Sequence, residues 1–160
     1  MSDTILLVED EVNDVFFMKR AFLEIGLVNP MQVVTDGREA INYLSGKDAY
    51  ADRERFPVPC LVLLDLKLPR VMGLEVLKWI REQSELKTLI VIILSSSQLT
   101  PDIEWAYRLG ANAYLVKPST PPELRELATG IKLFWLKLNH GPAASQDTRG
   151  ALASHGVNTP

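Results

Sequence analysis

Five residues of this chain combine chemistry that belongs together: the acids Glu9, Asp10 and Asp65, the hydroxyl of Ser95 and the amine of Lys117. Each stands where a short apolar run ends. Residues 5–8 lead into Glu9, Asp10 and Glu11, residues 60–64 into Asp65, residues 89–94 into Ser95, Ser96 and Ser97, and residues 113–116 into Lys117. Carboxylates held close together raise one another's pKa values and repel, a cost that a divalent cation and one ammonium group offset. Only oxygen can serve such an ion, because Cys60 is the single cysteine and the two histidines, His140 and His155, lie near the end of the chain. Mg2+ is the expected cation, since it takes about six oxygen ligands, keeps several waters and joins one or two carboxylates to a phosphate. A carboxylate fixed beside Mg2+ and a lysine can attack a phosphoryl group, a reaction governed by positioning and charge neutralisation. Asp65 is the expected nucleophile. Its apolar strand holds it rigidly, while Pro69 and Gly73 break the loop that follows and leave that face open.

The elements that must position these groups are written in the same runs. Residues 5–8, 31–34, 60–64, 89–94 and 113–116 are too continuously apolar for strands with one wet face, so they read as buried parallel strands. Amphipathic segments lie between them. Val12, Val15, Phe16, Phe22 and Leu23 share one face of a first helix, and Leu74, Leu77 and Ile80 one face of a third. Further helices fit residues 37–44, 101–109 and 121–138, with Thr100 as an N-cap before Pro101 and Gly110 placed to end that helix. Strands alternating with helices imply right-handed crossovers and a doubly wound α/β sheet. Ligands of such sheets bind outside the carboxyl ends of the strands, where the five reactive residues stand.

At 160 residues, 47% hydrophobic and 23% charged, the chain fits one domain. A net charge of -3 favours neither nucleic acid nor an anionic membrane as partner. Near the N-terminus, acids follow only four consecutive apolar residues and no run approaches spanning length, so a cytoplasmic protein without a signal peptide is expected. Two segments stand outside the alternation. Residues 45–59 are long and charged for a helix-to-strand connection and predict an ordered excursion, whereas residues 140–160 are rich in small and turn-forming types and predict a disordered tail after a domain over 1–139. The absence of a Walker loop and of a G-x-G-x-x-G run argues against nucleotide binding.

The stretches "ILLVEDE", "LLDLKLPRVMG", "VIILSSS" and "AYLVKP" resemble the motifs of response-regulator receiver domains, the phosphorylation-switched partners of sensor histidine kinases. The likeness covers residues 4 to about 138 and keeps the family's order and spacing, with 30 residues from Asp65 to Ser95 and 22 from Ser95 to Lys117. It implies a flavodoxin-like (βα)5 fold with strand order 2-1-3-4-5. By the same resemblance Asp10 binds Mg2+ directly and Glu9 through water, Asp65 accepts the phosphoryl group, and the backbone carbonyl of Lys67 is a further metal ligand. Ser95 and Lys117 then grip phosphoryl oxygens, Tyr114 is the switch aromatic, and a cis Lys117–Pro118 bond aims the amine into the pocket. Spacing alone selects Ser95 from three adjacent serines; Ser96 and Ser97 read equally well as caps or turn formers.

Three departures from the family pattern stand out. Lys67 places a cation where the family often has a small polar residue, either folded back toward the metal or pointing outward to a partner. Ser95 lacks the methyl of threonine that restrains the hydroxyl rotamer. The enlarged 45–59 connection stretches Asp10 to Asp65 to 55 residues, about ten more than in chemotaxis-type regulators, which resembles the phytochrome-associated single-domain regulators.

The resemblance implies a single-domain regulator that catalyses only its own phosphorylation and dephosphorylation. Its phosphoryl donor is a sensor histidine kinase, with a bacteriophytochrome as one candidate, or a phosphotransfer protein. No DNA-binding or catalytic pattern follows the last helix, so the output is expected to be a protein contact. In that helix Leu124, Leu127, Ala128, Ile131, Phe134, Trp135 and Leu138 form the stripe that covers the sheet, while Leu133 and Leu136 fall off it. Those two, left exposed, suit a homodimer or a partner groove, unless the tail or the charged loop covers them. Phe17, off the first helix's stripe, is expected to meet the kinase. Two rivals differ in kind. An aspartyl-phosphate phosphohydrolase places a second aspartate two residues after the nucleophile, where this chain has Lys67, and a pseudo-receiver binds its partner without phosphorylation.

Overall fold

Parallel strands cannot be joined by tight turns, so each apolar run must return through a crossover. In the computed structural model, which describes residues 2–142, the order is β1 (Ile5–Val8), α1 (Val12–Glu24), β2 (Met31–Val34), α2 (Gly37–Ser45), β3 (Leu61–Leu64), α3 (Gly73–Glu82), β4 (Ile90–Ser95), α4 (Thr100–Arg108), β5 (Ala113–Val116) and α5 (Pro121–Gly130). The five strands form one parallel sheet in the order β2-β1-β3-β4-β5, the flavodoxin-like arrangement. The expected tail over residues 140–160 falls almost wholly outside the described residues.

Alternation along the strands divides the core in two. Leu6, Val8, Val62, Leu64, Val91 and Ile93 face α2, α3 and α4, where Tyr43, Val76, Leu77 and Ile80 are fully buried. Ile5, Leu7, Leu61, Leu63, Ile92 and Leu94 face α1 and α5. Both faces of the central strands are therefore dry, which is why their sequence is continuously apolar instead of alternating. Among the described residues no helix is long and apolar enough to cross a membrane.

The structure bears out Val15 and Phe22 on the buried face of α1 and corrects Val12, Phe16 and Leu23. Val12 and Leu23 are 79% and 75% exposed and Phe16 is also exposed, whereas Met18, Ala21 and Phe22 are buried and Val15 and Ile25 pack beside them. The segment carries two apolar stripes, and the contacts with the sheet and α5 decide which one is covered. The last helix departs in a second way. After Gly130 it widens into a π-helical segment, Ile131–Leu138, closed by the Asn139 N–H donating to the Phe134 carbonyl at 2.7 Å. Wider turns shift the phase of every later side chain relative to a 3.6-residue wheel. Phe134 and Leu138 are consequently exposed, while Leu136 packs on the core beside Trp135; Leu133 is exposed as expected.

Helix α4 begins at Thr100 itself, with Leu99 at the N-cap and no side-chain cap. Just before the helix, Ser97 Oγ accepts from Leu99 N at 3.3 Å, a turn contact in the loop that leads into α4. Gly110, at φ +98°, ends the helix as its sequence position suggests. Residues 45–59 are ordered. Arg53 donates to the carbonyls of Tyr43, Leu44 and Phe56 at 2.6 to 2.9 Å, satisfying the C-terminus of α2, and the Phe56 ring meets Tyr43 and Tyr50 edge to face while those two are tilted against each other.

Candidate functional site

The sheet register assembles the site. Leu64 pairs with Val8, and the ladder continues one residue further, with Asp65 N–H donating to the Val8 carbonyl at 3.1 Å. Glu9 and Asp65 therefore leave the sheet side by side. On the other side Ser95 pairs with Val116, and Lys117 N–H donates to the Ser95 carbonyl at 2.9 Å. A carboxylate oxygen from each of Glu9, Asp10 and Asp65 lies within 4.8 Å of the others. The Lys117 ammonium stands against them, 2.5 Å from Glu9 Oε2 and 3.0 Å from Asp65 Oδ2. The acids and the amine named from sequence thus converge, although they come from three loops up to 108 residues apart.

Electrostatics follow from burial. Glu9, whose side chain is only 3% exposed, has its carboxyl pushed up to about 7 by desolvation, against the lowering pull of Lys117 and of the Glu11 N–H. Burial opposes the charge on Lys117, but its hydrogen bonds to Glu9, Asp14 and Asp65 prevail and hold the ammonium above the ordinary lysine range. Hard carboxylate oxygens crowded on one side of a fixed ammonium fit a hard divalent cation.

The loop after Asp65 is held by close approach. A Cβ on Gly73 would stand 2.1 Å from the Asp65 carbonyl oxygen, and Gly73 N–H donates to the Leu66 carbonyl at 2.9 Å. Lys67 N–H reaches Asp65 Oδ1 at 3.4 Å. Because Leu66 and Leu68 are buried, the Lys67 side chain between them points outward and is exposed. Ser95 is fully buried at the end of β4, its Oγ accepting from Ser97 N at 3.2 Å, while Ser96 is exposed. Ser97 in turn donates its hydroxyl to Asp102 Oδ2 at 2.5 Å, and Tyr114 donates its hydroxyl to the Ser97 carbonyl at 2.9 Å. Ser95 and Tyr114 are thus tied to the loop before α4, and their hydrogen bonds run to that loop and away from the acids.

Two findings revise the sequence reading. No cis peptide occurs among the described residues, so Lys117–Pro118 is trans, the isomer favoured by about 0.5–1 kcal/mol, and the amine reaches the acids without the expected cis bond. The second is Asp14, on the first turn of α1, whose Oδ2 accepts from Lys117 at 2.9 Å. Its place one helical turn after Asp10 was the available signal, masked because an acid in a first turn is also what the helix dipole favours. Asp14, Phe17, Lys117, Pro118 and Thr120 line a hollow of about 270 Å³ between α1 and the loop before α5.

Residues 5–129 match the family of response regulator receiver domains. The chain belongs to that family. It is 34% identical over 140 residues to response regulator Rcp1 of Synechocystis, covering 88% of this chain and 93% of Rcp1. A probable methanogenesis regulatory protein of Methanothrix harundinacea, FilR2, is 35% identical over 138 residues, with 86% of each chain covered. Among solved structures, the phosphorylated cyanobacterial phytochrome response regulator RcpA superposes with a TM-score of 0.82 at 34% identity, covering 89% of this chain and all of that one. The Mn2+-bound form of Rcp1 superposes with a TM-score of 0.79 at 33% identity, covering 88% and 99%. The receiver domain here is thus a two-component response regulator domain, a signalling unit with phytochrome-associated relatives.

Proposed function

We propose that Asp65 accepts a phosphoryl group in an Mg2+-dependent reaction and that the phosphorylated domain signals through a changed protein-contact surface. The observation that carries this reading is the convergence of Glu9, Asp10, Asp65 and Lys117 at the carboxyl ends of β1, β3 and β5. In the transfer, an Asp65 carboxylate oxygen forms the new O–P bond while the P–N bond of a phosphohistidine donor breaks, and the leaving imidazole takes its proton from solvent. The side chains of Asp10 and Asp65, the backbone carbonyl of Lys67 and, through water, Glu9 are the groups we assign to Mg2+. When bound, the cation neutralises charge developing on the transferred group.

Lys117 supplies the fixed positive charge and Ser95 the hydroxyl for the phosphoryl oxygens. Drawing Ser95 Oγ toward the phosphoryl group breaks its bond from Ser97 N, and Tyr114, anchored on the Ser97 carbonyl, transmits that shift toward α4 and β5. We assign Phe17, half exposed beside Asp14 and Lys117, to the contact with the donor, for which the phytochrome-associated relatives favour a bacteriophytochrome kinase. A second copy of the chain, or the output partner, is assigned to the exposed edge of Leu133, Phe134 and Leu138; Leu136 is withdrawn from it. Such a protein acts in the cytoplasm. Incubation with acetyl phosphate and Mg2+ tests the chemistry: phosphate should appear on the wild type, and an Asp65→Asn variant labelled at the same rate would refute the assignment. Transfer from a panel of phosphorylated kinases would identify the donor.

A further inference from the structure

An ammonium carries three N–H donors, and three carboxylate oxygens already crowd that of Lys117: it donates to Asp14 Oδ2 at 2.9 Å and Asp65 Oδ2 at 3.0 Å and is ion-paired with Glu9 Oε2 at 2.5 Å. The phosphoryl reading of the site, on which this inference rests, asks Lys117 to hold a phosphoryl oxygen as well. One acceptor must therefore be released. The side chains of Glu9 and Asp65 are 3% and 8% exposed and face the cation site, so neither is free to turn away into bulk water. Asp14 is, because its side chain is 45% exposed at the mouth of the hollow. Its role is also not that of a first-turn acid alone: its carboxylate reaches across to the residue after β5.

We propose that Asp14 is a positioning residue that holds Lys117 in the resting state and is displaced from it by the phosphoryl group. The exchange makes and breaks no covalent bond. One Lys117 N–H passes from Asp14 Oδ2 to a phosphoryl oxygen, and the Asp14 carboxylate takes water in its place. Asp14 thereby opposes phosphorylation twice, by competing for the amine and by facing the incoming anion with a like charge. The release also frees the first turn of α1 from β5, on the same helix as Phe17, so the donor-facing surface changes with the state of the site.

Beryllofluoride, a phosphoryl mimic, tests this at equilibrium. Its affinity in the presence of Mg2+, and the affinity for Mg2+ alone, are measured by calorimetry for the wild type, Asp14→Asn, Asp14→Glu and Asp65→Asn. The expected result is about tenfold tighter beryllofluoride binding by Asp14→Asn, the scale of one lost competing ion pair, with Mg2+ alone bound equally or more weakly, and a return toward wild type in Asp14→Glu. A loosened pocket would weaken both ligands together. Beryllofluoride bound equally or more weakly by Asp14→Asn overturns the role of Asp14 and leaves the phosphoryl reading standing. A wild type that binds none, or binding that survives in Asp65→Asn, overturns the phosphoryl reading and this inference with it.

Discussion

Gly73 is the position where one methyl group should separate the fold from its chemistry. A Cβ there would lie 2.1 Å from the Asp65 carbonyl oxygen and 2.7 Å from the Leu66 Cα, where real contacts do not fall below 3.0 Å. The two backbones must therefore part by roughly 1 Å, the scale of misplacement that costs about 100-fold in rate at a reacting centre. Helix α3 cannot supply that movement, because Val76, Leu77 and Ile80 fix it in the core with no exposure. The loop carrying Asp65 gives way instead. Overpacking of this kind costs about 1–3 kcal/mol, partly offset by the lower chain entropy of alanine, which for a domain of this size lowers Tm by roughly 3–8 °C. Gly73→Ala should thus lose about 100-fold in its rate of labelling by acetyl phosphate with Mg2+, while remaining folded at 25 °C in a thermal scan. Labelling at the wild-type rate, whatever the change in Tm, would show that the Gly73 contact does not position Asp65.

Arg53→Ala removes three charge-assisted bonds to the carbonyls of Tyr43, Leu44 and Phe56; it should cost about 2–3 kcal/mol in urea unfolding and open residues 46–58 to limited proteolysis, with Lys a poor replacement. Gly130→Ala meets no atom within 4 Å and sits in helical backbone, so it should raise stability by up to about 1 kcal/mol in the same assay. Glu9 gives a pH dependence. Its carboxyl in the metal-free fold is raised from 4.5 to about 7, so its contribution is fully present below pH 4.5 and is lost as pH rises through 7. In EDTA the Tm of the wild type should therefore fall relative to that of Glu9→Gln between pH 5 and 8; parallel profiles would count against a buried, proton-binding Glu9.

Strand positions and the polar groups at the sheet's rim were both legible because each is written locally. A strand dry on both faces must be continuously apolar, and the first polar residue after it must lie at the sheet's rim; that alone placed Glu9, Asp65, Ser95 and Lys117. Strand and helix limits fell within about a residue of those observed, with the last helix as the exception. The misses share another cause. Val12, Phe16 and Leu23 made as good a stripe as the one α1 buries, and nothing within the helix says which stripe will meet α5. The π-helical widening after Gly130 changed the period on which the Leu136 and Phe134 assignments rested.

What the sequence by itself determined is the order of layers and which polar groups stand at the rim of the sheet, since hydrophobic periodicity and residue type act over a few neighbours. What only the tertiary structure decided is which groups share a proton donor. Asp14 and Lys117 are 103 residues apart, and their pairing depends on the angle at which α1 leaves β1 relative to the turn after β5. Packing of the whole sheet sets that angle, and no local pattern records it.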